Sequence, residues 1–284
     1  MKRRDFLQTT AAATLGALAF SSVTFGLKKV KNIGIQLYTL RDLLSQDAVG
    51  TLTKVAQIGY KMVESHGYAN GKLYGMRVGE FKKVLEDLDL KTPSSHLGLD
   101  ILRGNWEGAV ADAAFLKQQY VVCPYLTEDE RKTIDQYKRL CELLNKCGEI
   151  AKKMGLQLAY HNHDFEFFTL DGQVPMDLIL KECDSDLVKI ELDLYWATRA
   201  GYDPIALFEQ HPGRFHLWHV KDMENSPEKT FAPVGTGLID FKKIFQHAKK
   251  SGMQYFFVEQ DLHRNNQPIA NVESSYKYLK GMRY

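Results

Sequence analysis

Acidic and imidazole side chains recur at the ends of the apolar, strand-like segments of this sequence. Asp193 ends the segment 187–193, His219 lies in the segment 215–220, and Glu259 ends the aromatic segment 254–259. A buried carboxylate or imidazole costs desolvation free energy unless it is paired or binds a metal ion. Together these residue types predict one site for a divalent cation.

Two further imidazoles and a carboxylate surround the end of the strand-like segment 156–161. His161 ends this segment, and His163 and Glu166 follow it. Residues two apart on a strand face the same side, so both imidazoles could point into one site. A mixed set of carboxylates and imidazoles suits Mn²⁺, Zn²⁺, Co²⁺ or Fe²⁺ better than Ca²⁺ or Mg²⁺. We therefore expect one divalent ion, whose identity the residue types leave open.

The order of the segments indicates the fold that brings these residues together. Strand-like and helix-like segments alternate eight times between residues 32 and 280. Thr127 and Glu130 have the spacing of a capping box, which predicts that a long helix starts there and continues through Met154. Eight such pairs predict an α/β chain folded as a single (β/α)8 TIM barrel, with its site at the carboxyl ends of the strands. A doubly wound sheet is the rival, but no Gly-rich phosphate loop follows the first strand. We expect one barrel domain over residues 32–284.

The N-terminus predicts an exported protein. Of 284 residues, 37 are Lys or Arg and 35 are Asp or Glu, which gives a formal charge of +2. Lys2, Arg3 and Arg4 precede an apolar stretch at 11–20 that contains the small residues 17–19, the layout of a signal peptide of the twin-arginine type over residues 1–22. The stretch is too short for stable membrane insertion. We expect cleavage, a periplasmic location and contact with the twin-arginine export machinery.

Charge and cysteine content exclude other classes. Cleavage after residue 19 leaves 34 charges of each sign, so the mature chain is neutral and offers no general attraction for nucleic acid. The four cysteines have no zinc-binding or redox spacing, and we expect them to be small buried residues.

Several motifs together resemble those of the xylose-isomerase-like barrels. This superfamily includes sugar (phosphate) isomerases and epimerases, inosose dehydratases and the endonuclease IV group. The resemblance spans residues 32–282 and is carried by the segments 33–41, 160–167, 191–196, 219–222, 234–241 and 257–261. These motifs are specific for the superfamily and weak for any one reaction.

The resemblance implies metal ligands from the last four strands. They are a carboxylate from the fifth strand, an Asp from the sixth, a His from the seventh and a Glu from the eighth. The last three carry over onto Asp193, His219 and Glu259. Several relatives have a Glu where His161 stands, so either His161 replaces that ligand or Glu166 supplies a carboxylate from the loop. We predict Glu166, with His161 as the alternative.

The expected reaction is proton transfer in a sugar or keto-sugar through an enediolate, which makes the protein an isomerase or epimerase. His163 or His161 is the candidate base, and Lys221 is the cation that stabilises the enediolate. The candidate substrate-binding residues are Tyr38, Glu64, His96, Tyr160 and Trp196. The close alternative is a lyase or dehydratase that eliminates from a 3-keto-glycoside or an inosose.

Two more classes are less well supported by the residues. An endonuclease IV-like DNA repair enzyme would need a basic DNA-facing surface and more histidine ligands. A non-catalytic sugar-binding protein would have no need of the metal ligands. The expected partner is therefore a small carbohydrate, with no nucleic acid, and because barrels of this group often pair, a homo-oligomer is a further expectation.

Overall fold

Eight parallel strands form a closed barrel. The computed structural model describes residues 28–284, so the predicted signal peptide lies outside the described residues. The strands are Gly34–Gln36 (β1), Met62–Ser65 (β2), Lys91–His96 (β3), Tyr120–Cys123 (β4), Gln157–His161 (β5), Val188–Asp193 (β6), Leu217–Val220 (β7) and Tyr255–Val258 (β8). Each strand pairs with the next along the chain, and β8 closes the ring on β1. The predicted (β/α)8 barrel is confirmed.

Helices lie between the strands and cover the outside of the barrel. The principal ones are Ala48–Ile58 (α1), Val78–Asp87 (α2), Trp106–Phe115 (α3), Ile134–Lys153 (α4), Pro175–Glu182 (α5), Pro204–Gln210 (α6), Phe241–Phe245 (α7) and Pro268–Gly281 (α8). Shorter helices occupy Arg41–Gln46, Leu99–Arg103, Leu194–Arg199 and Ala248–Ser251. Small antiparallel ribbons pair Lys72–Leu73 with Met76–Arg77, and Asp222–Met223 with Phe231–Ala232.

The barrel interior changes from apolar to polar along its axis. A buried apolar layer fills the amino-terminal end and consists of Met62, Tyr120, Val122, Ala159, Leu217 and Phe257. Successive residues of a strand face opposite sides, so the next inward position lies two residues further on. From Met62, Ala159, Leu217 and Phe257 this step leads to Glu64, His161, His219 and Glu259. The register of the strands therefore brings ionisable side chains together at the carboxyl end.

The structure also shows the state of the four cysteines and whether any described helix could cross a membrane. Cys123, Cys141, Cys147 and Cys183 are all buried and unpaired, as the sequence predicts. Within residues 28–284, no helix has the length and apolar character needed to cross a bilayer.

Candidate active site

Four residues from the second half of the barrel have their ligand atoms within 4.8 Å of one another. They are His161, Asp193, His219 and Glu259, and all four are buried. His219 Nδ1 lies 2.8 Å from Glu259 Oε2, and His161 Nε2 lies 3.5 Å from Asp193 Oδ2. We call these four residues the upper group. Three of them are ligands predicted from the sequence, and the fourth is the alternative for the fifth strand.

Two atoms of the upper group have no hydrogen-bond partner in the described part of the chain. They are His161 Nε2 and Asp193 Oδ2, both buried. His161 Nδ1 lies 3.1 Å from the Pro124 carbonyl oxygen, which can only accept, so Nδ1 carries a proton and Nε2 is the nitrogen directed at Asp193. Buried polar atoms of this kind are costly unless another group binds them. The donor set of nitrogen and carboxylate oxygen fits a divalent transition-metal ion.

Glu166 lies outside the upper group. Its Oε1 accepts a hydrogen bond from the Tyr160 hydroxyl at 2.6 Å, and its Oε2 accepts one from the His163 backbone N–H at 2.8 Å. Burial raises the pKa of Glu166 to about 7. Tyr160 is also outside the pocket, because it alternates along β5 with Ala159 and His161, which face the interior. These two residues hold the loop after β5 in place.

Lys221 is fully buried among three carboxylates. Its Nζ donates a hydrogen bond to Asp261 Oδ2 at 3.1 Å and forms ion pairs with Glu259 Oε2 at 2.7 Å and Asp193 Oδ2 at 2.9 Å. Burial opposes the charge, but the carboxylates, Asp193 first, hold the pKa of Lys221 well above its usual range. Burial likewise opposes the charge of Asp193, but Lys221 and then His161 lower the pKa of Asp193 to about 2. Both groups are therefore charged at neutral pH.

A second set of ionisable residues lies next to the upper group, towards the centre of the barrel. His96 Nε2 is 2.8 Å from Glu191 Oε2, and His219 Nε2 is 2.7 Å from Glu64 Oε2. We call Glu64, His96, Glu191 and His219 the lower group, and their ligand atoms also lie within 4.8 Å of one another. Glu64 is fully buried here and is absent from the pocket lining, whereas His96 reaches the pocket.

A pocket of about 700 Å³ opens at the carboxyl end of the barrel, beside Glu259. Of the predicted residues, Tyr38, His96, His163 and Lys221 line it. Trp196 packs beside them, with its ring centre 5.5 Å from that of His163. Predicted residues of both kinds, catalytic and substrate-binding, therefore meet at one opening.

Two of the titratable groups that line the pocket, His163 and Asp261, come from opposite ends of the second half-barrel. The His163 Nδ1 is buried and has no partner in the described residues, and burial holds the pKa of this imidazole well below its usual range. Burial raises the pKa of Asp261 to about 6, in spite of Lys221. Sequence reasoning gave Asp261 no role, although it lies two residues beyond Glu259 and so on the same side of the chain.

Two aromatic residues, Tyr38 and Tyr125, lie at the rim of the pocket. The sequence predicts a substrate-binding role for Tyr38 and none for Tyr125. Tyr38 is 41% exposed, and the Arg41 guanidinium lies over its ring at 4.3 Å from the centre. Tyr125 is 43% exposed and packs edge-on against His163. Sequence reasoning assigned no role to Arg41 or Tyr125, although Arg41 ends the segment 33–41, which carries part of the family resemblance.

The closed barrel and its buried ligand set define a (β/α)8 protein with a candidate metal site at the carboxyl ends of the strands. The profile of the xylose isomerase-like TIM barrel family matches residues 52–282, so the chain belongs to this family. It is an enzyme family whose members include isomerases, epimerases and dehydratases.

Individual relatives agree with this assignment. A sugar phosphate isomerase/epimerase from Parabacteroides distasonis is 28% identical, with a TM-score of 0.79, and the match covers 89% of this chain and 99% of that one. An inosose dehydratase from Bacillus licheniformis is 31% identical over 175 residues, which are 55% of each chain. The chain thus spans about half the length of the curated relatives that it matches. The IOLI protein with a bound zinc atom shares the fold, at 17% identity and a TM-score of 0.70, over 87% of this chain and 96% of that one.

Proposed function

We propose that the protein is a metal-dependent isomerase or epimerase that moves a proton in a sugar or keto-sugar. The observation that carries the proposal is the upper group, whose four buried ligand atoms lie within 4.8 Å of one another beside a pocket of about 700 Å³, with His161 Nε2 lacking a hydrogen-bond partner in the described chain. The similarity to the isomerase/epimerase of P. distasonis supports the same reaction class.

The residues proposed to hold the ion are His161, Asp193, His219 and Glu259. We favour His161 over Glu166 at the fifth strand, because both oxygens of Glu166 already accept hydrogen bonds. A divalent ion bound there supplies Lewis-acid polarisation of a carbonyl, which acidifies the neighbouring C–H. The donor set suits Mn²⁺, Zn²⁺, Co²⁺ or Fe²⁺.

Proton transfer is assigned to His163 and Asp261. The depressed pKa of His163 keeps its imidazole neutral, and its buried Nδ1 can accept a proton or a hydrogen bond from substrate. Asp261, with a pKa of about 6, can take up or release a proton near neutral pH. Lys221 stays cationic and stabilises negative charge that develops on the substrate oxygens. Two acid–base groups in one pocket favour epimerisation or isomerisation, since each reaction removes one proton and returns another.

The proposed substrate is an uncharged carbohydrate rather than a sugar phosphate. Among the described residues that line the pocket, the cations are Arg41 and Lys221, and Lys221 already faces three carboxylates. A phosphate deep in the pocket would therefore meet Glu259 and Asp261 without a free cation beside them, and Arg41 at the rim is the lining cation that no described carboxylate pairs with. The proposed export to the periplasm agrees with this choice, because sugar phosphates are cytoplasmic metabolites.

A second candidate is a lyase or dehydratase acting on an inosose or a 3-keto-glycoside. The similarity to inosose dehydratases favours it, at 31% identity for the B. licheniformis protein. The first step, removal of a proton beside a carbonyl, uses the same residues, and loss of a β-substituent then replaces reprotonation.

The test combines metal analysis with NMR. The mature protein is purified, its metal content is measured, and oxidised and unoxidised sugars are incubated with it in deuterated water. Isomerase or epimerase activity gives deuterium exchange at the carbon next to the carbonyl, and lyase activity gives an unsaturated product. His163→Gln should keep the metal and lose exchange. Bound metal without exchange or elimination on any keto-sugar would contradict the enzyme proposal.

A further inference from the structure

Two sequence motifs that the proposed reaction leaves without a role meet just beyond β7. They are Asp222, which ends the segment 219–222, and the turn Gly235-Thr236-Gly237 in the segment 234–241. Asp222 is fully buried, and no cation within residues 28–284 forms an ion pair with it. Other groups must therefore satisfy its carboxylate.

Four backbone N–H groups bind the Asp222 carboxylate. Oδ2 accepts from the N–H groups of Gly235 at 2.8 Å and Gly237 at 2.9 Å. Oδ1 accepts from those of Met223 at 2.8 Å and Ile239 at 3.2 Å. Converging backbone N–H groups form a concavity that binds anions. Here the carboxylate of the chain itself fills the concavity, so the glycine-rich turn is closed to a phosphate of the substrate.

The two glycines of this turn are required by its close contacts. Gly235 has a φ of +89°, which favours glycine, and a Cβ there would collide with the ring of Tyr278. A Cβ on Gly237 would collide with the Asp222 carboxylate and with the Met223 carbonyl oxygen. The close approach of Asp222 therefore explains why the motif contains glycine.

Asp222 closes the base of a hairpin over residues 222–239, which we call the β7 hairpin. Its arms form the antiparallel ribbon of Asp222–Met223 with Phe231–Ala232. The N–H groups that Asp222 binds lie on both arms, so its carboxylate ties the arms together. The tip is held separately, because the Tyr195 hydroxyl donates to the Lys229 carbonyl oxygen at 2.8 Å.

The β7 hairpin reaches the pocket through Phe231, which lines it beside Lys221. The centre of the Phe231 ring lies 4.6 Å from that of Tyr195 and 5.7 Å from that of Trp196. Lys221 Nζ lies 5.6 Å from the centre of the Phe231 ring. An aromatic ring beside polar groups suits a sugar, whose C–H face packs on the ring while its hydroxyls meet the polar groups.

We propose that Phe231 is the wall against which the carbohydrate packs, and that Asp222 is a positioning residue that holds Phe231 there by closing the β7 hairpin. The segments 219–222 and 234–241 are then two halves of one contact. The inference rests on the proposed function for its substrate class, whereas the role of Asp222 in the hairpin is independent of the metal and of the reaction.

The first measurement follows the hairpin without substrate. Amide hydrogen exchange of the mature protein, read by NMR, should show protected N–H groups at Gly235, Gly237 and Ile239. Asp222→Ala should lower this protection at least ~10-fold, because hydrogen bonds to a charged acceptor are lost. Sodium formate should restore the protection, since formate supplies the missing carboxylate, and sodium chloride at the same concentration should not.

The second measurement follows the pocket. Each keto-sugar of the exchange experiment is titrated into the mature protein by calorimetry. Phe231→Ala should bind the sugar about 10-fold more weakly, and Phe231→Tyr, which keeps a ring, should bind it as wild type does. Metal content and the exchange rate at saturating sugar should stay unchanged in Phe231→Ala. Asp222→Ala should show the same weakening, and formate should reverse it.

Thr236→Ala is the matched control for the turn. Thr236 lies between the two glycines, but its hydroxyl donates to the Pro233 carbonyl oxygen, at 2.7 Å, rather than to Asp222. Its amide protection and sugar affinity should equal those of wild type. If Asp222→Ala does not fold, Asp222→Asn replaces it, because its NH₂ group cannot accept and should release two of the four N–H groups.

The outcomes separate this inference from the proposed function. Unchanged protection in the Asp222 variants, or protection that formate does not restore, would overturn the role of Asp222. Equal sugar affinity of wild type and Phe231→Ala would overturn the wall and leave the proposed function standing. No binding of any keto-sugar to wild type would overturn both the proposed function and the wall.

Discussion

Replacing Asp193 by Asn removes one negative charge from the upper group and little else. Asp193 Oδ1 accepts a hydrogen bond from the Trp196 backbone N–H at 2.9 Å and so caps the helix Leu194–Arg199. Asn caps helices as well as Asp does, so this contact survives. Oδ2, which lies 2.9 Å from Lys221 Nζ, is replaced by an amide NH₂ group, which donates and cannot accept from Lys221. The variant therefore tests the metal site with the local backbone held constant.

The expected effect on metal binding is large. Loss of an outer-shell partner of a metal ligand typically costs 10- to 100-fold in affinity, and loss of a charged ligand should exceed ~100-fold, or ~2.8 kcal/mol. Stability of the metal-free protein should fall less than the ~3–5 kcal/mol of a broken buried ion pair. Lys221 keeps Glu259 and Asp261 as partners, so about 1–2 kcal/mol is expected.

Asp193→Ala separates the two roles of the carboxylate. It loses the metal to the same extent as Asp193→Asn, and it also loses the helix cap, which is worth about 1 kcal/mol. Metal content after dialysis and calorimetric titration measure the first effect, and urea unfolding of the metal-free variants measures the second. Wild-type metal affinity in Asp193→Asn would refute the assigned site, and equal stability of the Asn and Ala variants would refute the role of the cap.

Four other substitutions probe the site and the barrel. His161→Gln should bind divalent metal at least ~10-fold more weakly, whereas Glu166→Gln should keep wild-type affinity in the same titration; the reverse order would restore Glu166 as the ligand. Lys221→Met should destabilise the metal-free protein by about 3 kcal/mol in urea unfolding and bind divalent metal more tightly, because a competing cation is gone; weaker binding would contradict this. Burial lowers the pKa of His216 to about 4, where its Nδ1 faces the Tyr120 hydroxyl at 2.9 Å. The folded pKa lies below the unfolded value of 6.5, so wild type should lose stability as pH falls from 6.5 to 4. In His216→Gln, the loss of unfolding free energy between pH 6.5 and pH 4 should be smaller by about 1 kcal/mol, a value that allows for the partial exposure of the imidazole. An unchanged loss would exclude His216 as its source.

Helix starts were harder to predict than the fold. Thr127 and Glu130 form a capping box, but it opens the short turn Glu128–Glu130. The long helix α4 begins at Ile134, where Thr133 and Gln136 form a second capping box. The two signals have the same local chemistry, so the sequence could not tell which of them is followed by a helix. The alternation of strands and helices was predictable because most strands are short apolar segments between helical periodicities; β3, which is largely polar, is the exception.

The ligand types were predictable, but their depth in the barrel was not. Alternation places Glu191 and Asp193 on one side of β6, and both point inward. Only the register between strands shows that Glu64 and Glu191 lie one layer deeper than Asp193, away from the pocket. Glu166 could not be placed for a different reason: its position depends on the turn after β5, where Tyr160 takes up one of its oxygens.

The upper group comes from β5 to β8, whereas the rim residues Tyr38, Arg41 and Tyr125 come from the segments that follow β1 and β4. The proposed reaction chemistry and the proposed substrate recognition at the rim therefore lie in different halves of the chain. The segment matched by the family profile begins at residue 52, beyond Tyr38 and Arg41. Under the proposed function, rim residues that contact the substrate can therefore differ between relatives without a change in the proposed ligand set.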